Sequence, residues 1–381
     1  RMPYFDHNST TPLADCAREA WLRVQGENWH NASSPTRAGA RARIRLDSYH
    51  EALAILLGGK PEEYVFNSGA TEGAHAVMAH WAAKLPPDAR IAVAATEHAC
   101  VLAAAGKFFA GRIDWLMHDV AGVVSPEAVR AAIAAGATGV VVMAANNETG
   151  VIQPWDRIAE VCRSARGGDG VPYLCDATQW LGKLTGAGLG DCGAWVIASG
   201  HKFGAPKGVG LVKLPAGRAE PDFVSQGGGL QEGGHRAGTE DVAGASALCA
   251  ALGECERTQV IWESQREGWR KAFEREVVSA LPGLRIVGAD TDADRLWNTV
   301  FAIMPHGDFA RWIARLDKRD IQVSSGAACT TRKDGPSHVL AALGVAPEEA
   351  RRALRFSAGW STTEADWEVL LAALKEIAPG V

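Results

Sequence analysis

Five short apolar runs, none alternating with polar residues, each end in a polar cluster, and this recurrence constrains the fold more than any other feature. Val65-Phe66 leads into Asn67-Ser68-Gly69-Ala70-Thr71, and Ile91-Ala-Val-Ala-Ala95 leads into Glu97-His98. Gly139 to Ala145 runs into Asn146-Asn147-Glu148, Val171 to Cys175 into Asp176, and Ala194 to Ala198 into Ser199-Gly200-His201-Lys202. A strand wetted on one face alternates, whereas one covered on both faces reads as continuous apolar residues. Helix-forming stretches separate the runs, which predicts an α/β domain with a mostly parallel sheet flanked by helices. In such sheets ligands bind beyond the carboxyl ends of the strands, where all five clusters fall.

After about residue 255 the pattern changes. A long polar helix is expected from Trp262 to Val278, then strands at Leu284–Val287, Thr299–Met304 and Ile321–Val323. Thr363-Glu364-Ala365-Asp366 reads as a capping-box start for a last helix whose Trp367, Leu370, Leu371, Leu374 and Ile377 share one face. The expected division is a large domain over residues 16–254 and a smaller α+β domain made of 1–15 with 255–381.

The net charge of −5, without a basic run, argues against nucleic acid as a partner. No apolar stretch approaches the roughly 20 residues that span a bilayer, so no membrane partner is expected. The eight cysteines form no C-x-x-C pair and no zinc-like spacing with histidine, so no metal is expected. With no apolar leader after Arg1 and Met2, the thiols are read as reduced and the chain as cytoplasmic.

The strand-end residues carry chemistry. Lys202 lies among small residues, where its amine can approach a cofactor aldehyde and form a Schiff base; read alone, it is a surface lysine in a Gly-rich loop. Asp176 can pair with a pyridinium nitrogen, or simply cap the turn at Thr178-Gln179. Gly69-Ala70-Thr71 opens a helix whose free N–H groups suit a phosphate, or is only a tight turn. His98 can stack on a planar ring, or be a structural histidine. Coincidental placement of all of these, with Asn147, at the ends of one sheet is improbable, so they are read as one site.

Nine short stretches, in order and with fitting spacings, give the chain a family resemblance. They are Tyr4 to Pro12, Asn67 to Glu72, Thr96-Glu97-His98, Asn146 to Gly150, Asp176-Ala177-Thr178-Gln179, Ser199 to Lys202, Arg236 to Thr239, Ser324 to Cys329, and Arg355-Phe356-Ser357. Over nearly its whole length the sequence resembles the cysteine desulfurases of the NifS/IscS type, in the class V aminotransferase-like branch of the fold-type-I pyridoxal phosphate (PLP) enzymes. The resemblance implies the aspartate aminotransferase-like fold with a seven-stranded sheet, and PLP as cofactor.

By the same resemblance, Lys202 would carry PLP, Asp176 would bond the pyridine nitrogen, and Gln179 the phenolic oxygen. His98 would stack on the ring, and Ala70, Thr71, Ser199 and His201 would hold the phosphate. Thr239 matches a threonine that reaches the partner's site in a homodimer. Arg355, with Asn147, would grip the substrate carboxylate. Cys329 would take sulfur from L-cysteine as a persulfide, leaving L-alanine, and pass it to an acceptor protein for iron–sulfur or thio-cofactor synthesis. Arg332 and Lys333 beside it favour the reactive thiolate, and the Gly- and Ala-rich segment from Ser324 to Gly335 resembles a long, mobile cysteine loop. His7, Ala32, Trp297 and Trp360 stand where the family commonly has other residues. A selenocysteine lyase or cyst(e)ine C–S lyase would share the Lys202 site without needing Cys329, and a non-enzymatic relative would need neither.

Overall fold

The computed structural model describes residues 3–217, 220–325 and 337–381, apart from the side chains of Val260 and Trp262. Its main sheet has seven strands: β1 (Tyr64–Asn67), β2 (Ile91–Ala94), β3 (Ile113–Leu116), β4 (Gly139–Val141), β5 (Tyr173–Asp176), β6 (Trp195–Ser199) and β7 (Gly210–Lys213). They lie in the order β1-β7-β6-β5-β4-β2-β3. Neighbours pair in parallel from β6 through to β3, while β7 runs antiparallel to both β6 and β1. The sheet is therefore mostly parallel, as the unalternated runs predict.

The lack of alternation has its cause in two separate cores. On one face Val65, Val93, Val141, Leu174, Ile197 and Val212 pack against helices Ala70–Lys84 and Ala99–Phe108. On the other, Phe66, Ala94, Val140, Cys175, Val196 and Leu211 pack against helices Arg37–Leu57, Trp155–Ser164 and the start of Val242–Ala280. Successive residues of each strand thus enter opposite cores, and each full Val, Leu or Ile burial contributes roughly 1.5–3 kcal/mol. Only the edge strand β3 leaves side chains to water, with Trp115 57% exposed. Gly73 lets the helix Ala70–Lys84 settle directly on the sheet, since a Cβ there would meet Ile197 Cγ2 at 2.8 Å and Val212 Cγ2 at 3.0 Å.

The second sheet, in the order β10-β9-β8, comprises β8 (Arg285–Ile286), β9 (Thr299–Ile303) and β10 (Ala353–Ser357), all antiparallel. The N-terminal segment adds to it: His7 N–H donates to the Ser357 carbonyl at 3.1 Å, and Ser357 N–H to that of Phe5 at 2.8 Å. Its core gathers Phe5, Phe273, Val277, Trp297, Val300, Trp312, Phe356 and Trp367. The last helix, Glu364–Ile377, has the expected capping box between Thr363 and Asp366. Helix Val242–Ala280 is continuous for 39 residues, roughly 58 Å at 1.5 Å per residue. It runs straight through position 255, with Leu248 and Leu252 in one core and Phe273 and Val277 in the other.

Candidate active site

The carboxyl ends of β1, β2, β4, β5 and β6, with the N-terminal segment and β10, enclose a cavity of about 400 Å³. Of the residues expected to act, Ala70, Thr71, His98, Asn147, Asp176, Gln179, Ser199, His201, Lys202 and Arg355 all line it. Thr239 does not: it is exposed and borders a separate cavity of about 100 Å³ with Asn67 and Arg236. Cys329, with Arg332 and Lys333, lies outside the described residues.

Lys202 ends the single 3-10 turn that follows β6, so its amine projects over the strand ends. There Nζ donates to the carbonyls of Asn8 and Ser9, both at 2.7 Å. Asp176, the last residue of β5, is buried, and its Oδ1 accepts the Thr178 N–H at 2.9 Å. One oxygen of Asp176 thus caps the turn, as the sequence allowed, while the residue also lines the cavity. Next to it Glu97 is fully buried, and burial together with the Asp176 charge pushes the Glu97 carboxyl well above the carboxylate range. Glu97 accepts the Met143 N–H through Oε1.

His98 caps helix Ala99–Phe108: its Nδ1 accepts the Cys100 N–H at 3.2 Å, with Cys100 Sγ 3.0 Å away. An accepting Nδ1 leaves the neutral ring's proton on Nε2. Burial, reinforced by Lys202, His338 and Arg355 against the opposing pull of Asp176, holds the imidazole below its usual range. His201, whose Nδ1 is 3.0 Å from Thr10 Oγ1, is pushed down to about 4 by burial and by the nearby lysines 202, 207 and 183. Unfolding restores His201 to its usual value near 6.5, so between 6.5 and about 4 the unfolded chain binds the extra proton. Stability is thus expected to fall as pH falls through that window. Melting temperatures recorded across it should drop less steeply in His201→Asn than in the wild-type protein.

Gly69, Ala70 and Ser199 meet where β1 and β6 end. Gly69 takes φ 143°, a conformation that favours glycine, and no side chain caps the helix it opens. The Ala70 N–H donates to Ser199 Oγ at 2.8 Å, and the neighbouring first-turn amides form the positive end of the helix dipole. Arg355 enters from β10, 2% exposed. One guanidinium nitrogen donates to Asp6 Oδ1 at 2.8 Å and Ser9 Oγ at 2.6 Å, the other to the Asn147 carbonyl at 2.9 Å. Asp6 thus already presents a carboxylate to this guanidinium.

A planar, anionic, aldehyde-bearing cofactor fits these residues. The cavity offers an amine, a buried carboxylate and an uncapped helix start, and two buried oxygens in it, Asn147 Oδ1 and Thr178 Oγ1, have no hydrogen-bond partner among the described residues. No cluster of three or more metal-ligating side chains occurs among the described residues. None of the described helices is long and apolar enough to cross a membrane.

Sequence reading assigned no role to Asp6, Asn8, Ser9, Cys100, Glu148, Thr178 or His338, which line the cavity or touch residues that do. Asn8 is the stitch between the two sheets: its amide donates to the Asn147 carbonyl and Thr299 Oγ1, and its Oδ1 accepts from Asn298. Its position in the Tyr4 to Pro12 stretch was the available signal.

The aminotransferase class-V family matches residues 3–370. An IscS-like cysteine desulfurase of Mycobacterium tuberculosis is 34% identical, covering 100% of this chain and 96% of its own. A cysteine desulfurase of Cereibacter sphaeroides is 32% identical over 98% of this chain and 95% of its own. Among solved structures, a NifS-like protein superposes with a TM-score of 0.90 at 26% identity, covering all of both chains. With a fold, a strand-end site and a full-length match that agree, the chain belongs to the class-V aminotransferase family, the PLP-dependent group that includes the cysteine desulfurases.

Proposed function

We propose that this protein is a PLP-dependent cysteine desulfurase, converting L-cysteine to L-alanine with Cys329 as the sulfur-accepting thiol. The observation that carries the reading is where the segment bearing Cys329 leaves and rejoins the fold. On one side Ser324 exchanges main-chain hydrogen bonds with Arg355, at 3.2 and 2.6 Å. On the other, Ser337 donates to Glu148, and His338 lines the cavity with Nε2 2.8 Å from the Glu97 carbonyl. Arg355, Glu148 and His338 all line the cavity that holds Lys202, and this supports Cys329 as the thiol that serves that cavity.

The cofactor, when bound, withdraws electrons from the substrate Cα and so makes its proton acidic. Lys202 would hold it covalently and, once displaced by the substrate amine, take the Cα proton on Nζ and return one to the substrate carbon. Asp176 would face the ring nitrogen as an anion, and Gln179 the phenolic oxygen. His98, with its proton on Nε2, would lie over the ring. Ala70, Thr71, Ser199 and His201 would hold the phosphate, joined by Thr239 from the partner in a homodimer. Arg355 would exchange Asp6 for the substrate carboxylate, aided by Asn147. The Cys329 thiolate would attack the substrate sulfur, forming an S–S bond as the Cβ–S bond breaks with its electron pair left on carbon, which is then protonated to give alanine. The persulfide then passes to an acceptor protein in the cytoplasm, for iron–sulfur or thio-cofactor synthesis.

Cysteine added to the purified, PLP-loaded protein is expected to leave an added sulfur on the Cys329 peptide, read by mass spectrometry. Cys329→Ala should lose alanine formation by about 10³-fold or more, because nothing else takes the sulfur. A variant that still turned cysteine over to pyruvate would instead identify a C–S lyase.

A further inference from the structure

Behind the cavity lies a second lysine that the mechanism does not use. Lys183 is 4% exposed, and its Nζ has one hydrogen bond, 2.9 Å to Gln179 Oε1. No carboxylate forms an ion pair with it among the described residues. Charged and titratable groups reach it from each side: Lys202 from the turn after β6, Arg355 from β10, and Cys255 from helix Val242–Ala280. Burial first, then Lys202 and Arg355, pull the ammonium down to about 7, with Cys255 opposing. Leaving an amine so poorly compensated is costly, and a methionine of similar volume would be more stable there.

The hydrogen bonds continue into the site. Gln179 Nε2 donates to the Asn8 carbonyl at 2.9 Å, the same oxygen that accepts Lys202 Nζ at 2.7 Å. An unbroken chain therefore runs from Lys183 Nζ through the Gln179 amide and the Asn8 carbonyl to Lys202 Nζ. Lys183 is held in register by its own carbonyl, which accepts the Trp297 indole N–H at 2.9 Å. Trp297 in turn lies 5.7 Å from the Arg266 guanidinium, which donates to the carbonyls of Gly359, Trp360 and Thr362. Two of the residues that depart from the family pattern, Trp297 and Trp360, thus belong to the strut behind this lysine.

We infer that Lys183 is a positioning residue. Its amine holds the Gln179 carbonyl end, so the amide's second N–H points at the cofactor's phenolic oxygen and lowers the basicity of the Lys202–cofactor linkage. This rests on the proposed role of Gln179. A donor on the phenolic oxygen weakens that linkage's hold on its proton, so losing the amide's alignment should raise the linkage's midpoint.

The test is a pH titration of the visible absorption band of PLP-loaded protein, in wild type, Lys183→Met, Gln179→Ala and the double variant. Lys183→Met should move the midpoint up by about one pH unit and raise the melting temperature of the cofactor-free protein. The double variant should match Gln179→Ala alone, because Lys183 acts through the amide. Lys183→Leu carries the same expectations should the methionine variant fold poorly. A Lys183→Met midpoint equal to wild type, or two shifts that simply add, overturns the inference. A wild-type protein with no visible band overturns the proposed function as well, so the two failures are distinct.

Discussion

Replacing Lys202 with alanine is expected to cut alanine formation by about 10³-fold or more, the size associated with removing a positioned proton-transfer group. The loss has two sources, since the same amine anchors the cofactor and moves the Cα proton. It should not come from unfolding. Lys202 Nζ donates to the main-chain carbonyls of Asn8 and Ser9, which face the cavity rim and can be satisfied by water. Melting within a few degrees of wild type, with the visible band gone, is the expected pair of results. Calorimetry and absorbance on one preparation check both.

Asp176→Asn should lower turnover by roughly 10²–10³-fold, while keeping the fold and the visible band. Asparagine keeps the oxygen that accepts the Thr178 N–H, so the turn into Gln179 stays closed. What it removes is the negative charge at the end of β5 that would keep the ring nitrogen protonated. The variant should also protonate His98 less readily, because the Asp176 charge is the main influence raising that imidazole against burial. Steady-state kinetics that showed a change in KM alone would contradict this division of roles.

The sheet was legible where burial was symmetrical. β1, β2, β4, β5 and β6 have buried residues on both faces, and their polar ends mark the site directly. β3 was not singled out because it lies at the sheet edge and is partly wet, and β7 because it follows a Gly-rich run. The helix from Val242 crosses between two cores, so the change of pattern near residue 255 falls inside one continuous helix. Most cavity-lining residues were readable because they follow strands of one sheet, whereas Arg355 comes from β10 of the other. Asp6 and Asn8 were harder to read, since their partners Arg355, Asn147 and Thr299 are far away in the chain. The same distance hides the function of the departures. His7 packs edge-on against Tyr4 at 4.8 Å and Trp360 at 5.8 Å, and the Trp297 indole meets a carbonyl at residue 183. Thr239 is exposed on a different cavity, so the single chain does not bring it to the site.

Convergence of Lys202 and Asp176 on one cofactor is tested most directly by loading the protein with PLP, reducing it with borohydride and locating the adduct by peptide mass spectrometry. One labelled peptide, with the added mass on Lys202, is the predicted result. A label on Lys183 or Lys207, or a protein that stays colourless and unlabelled, would contradict it.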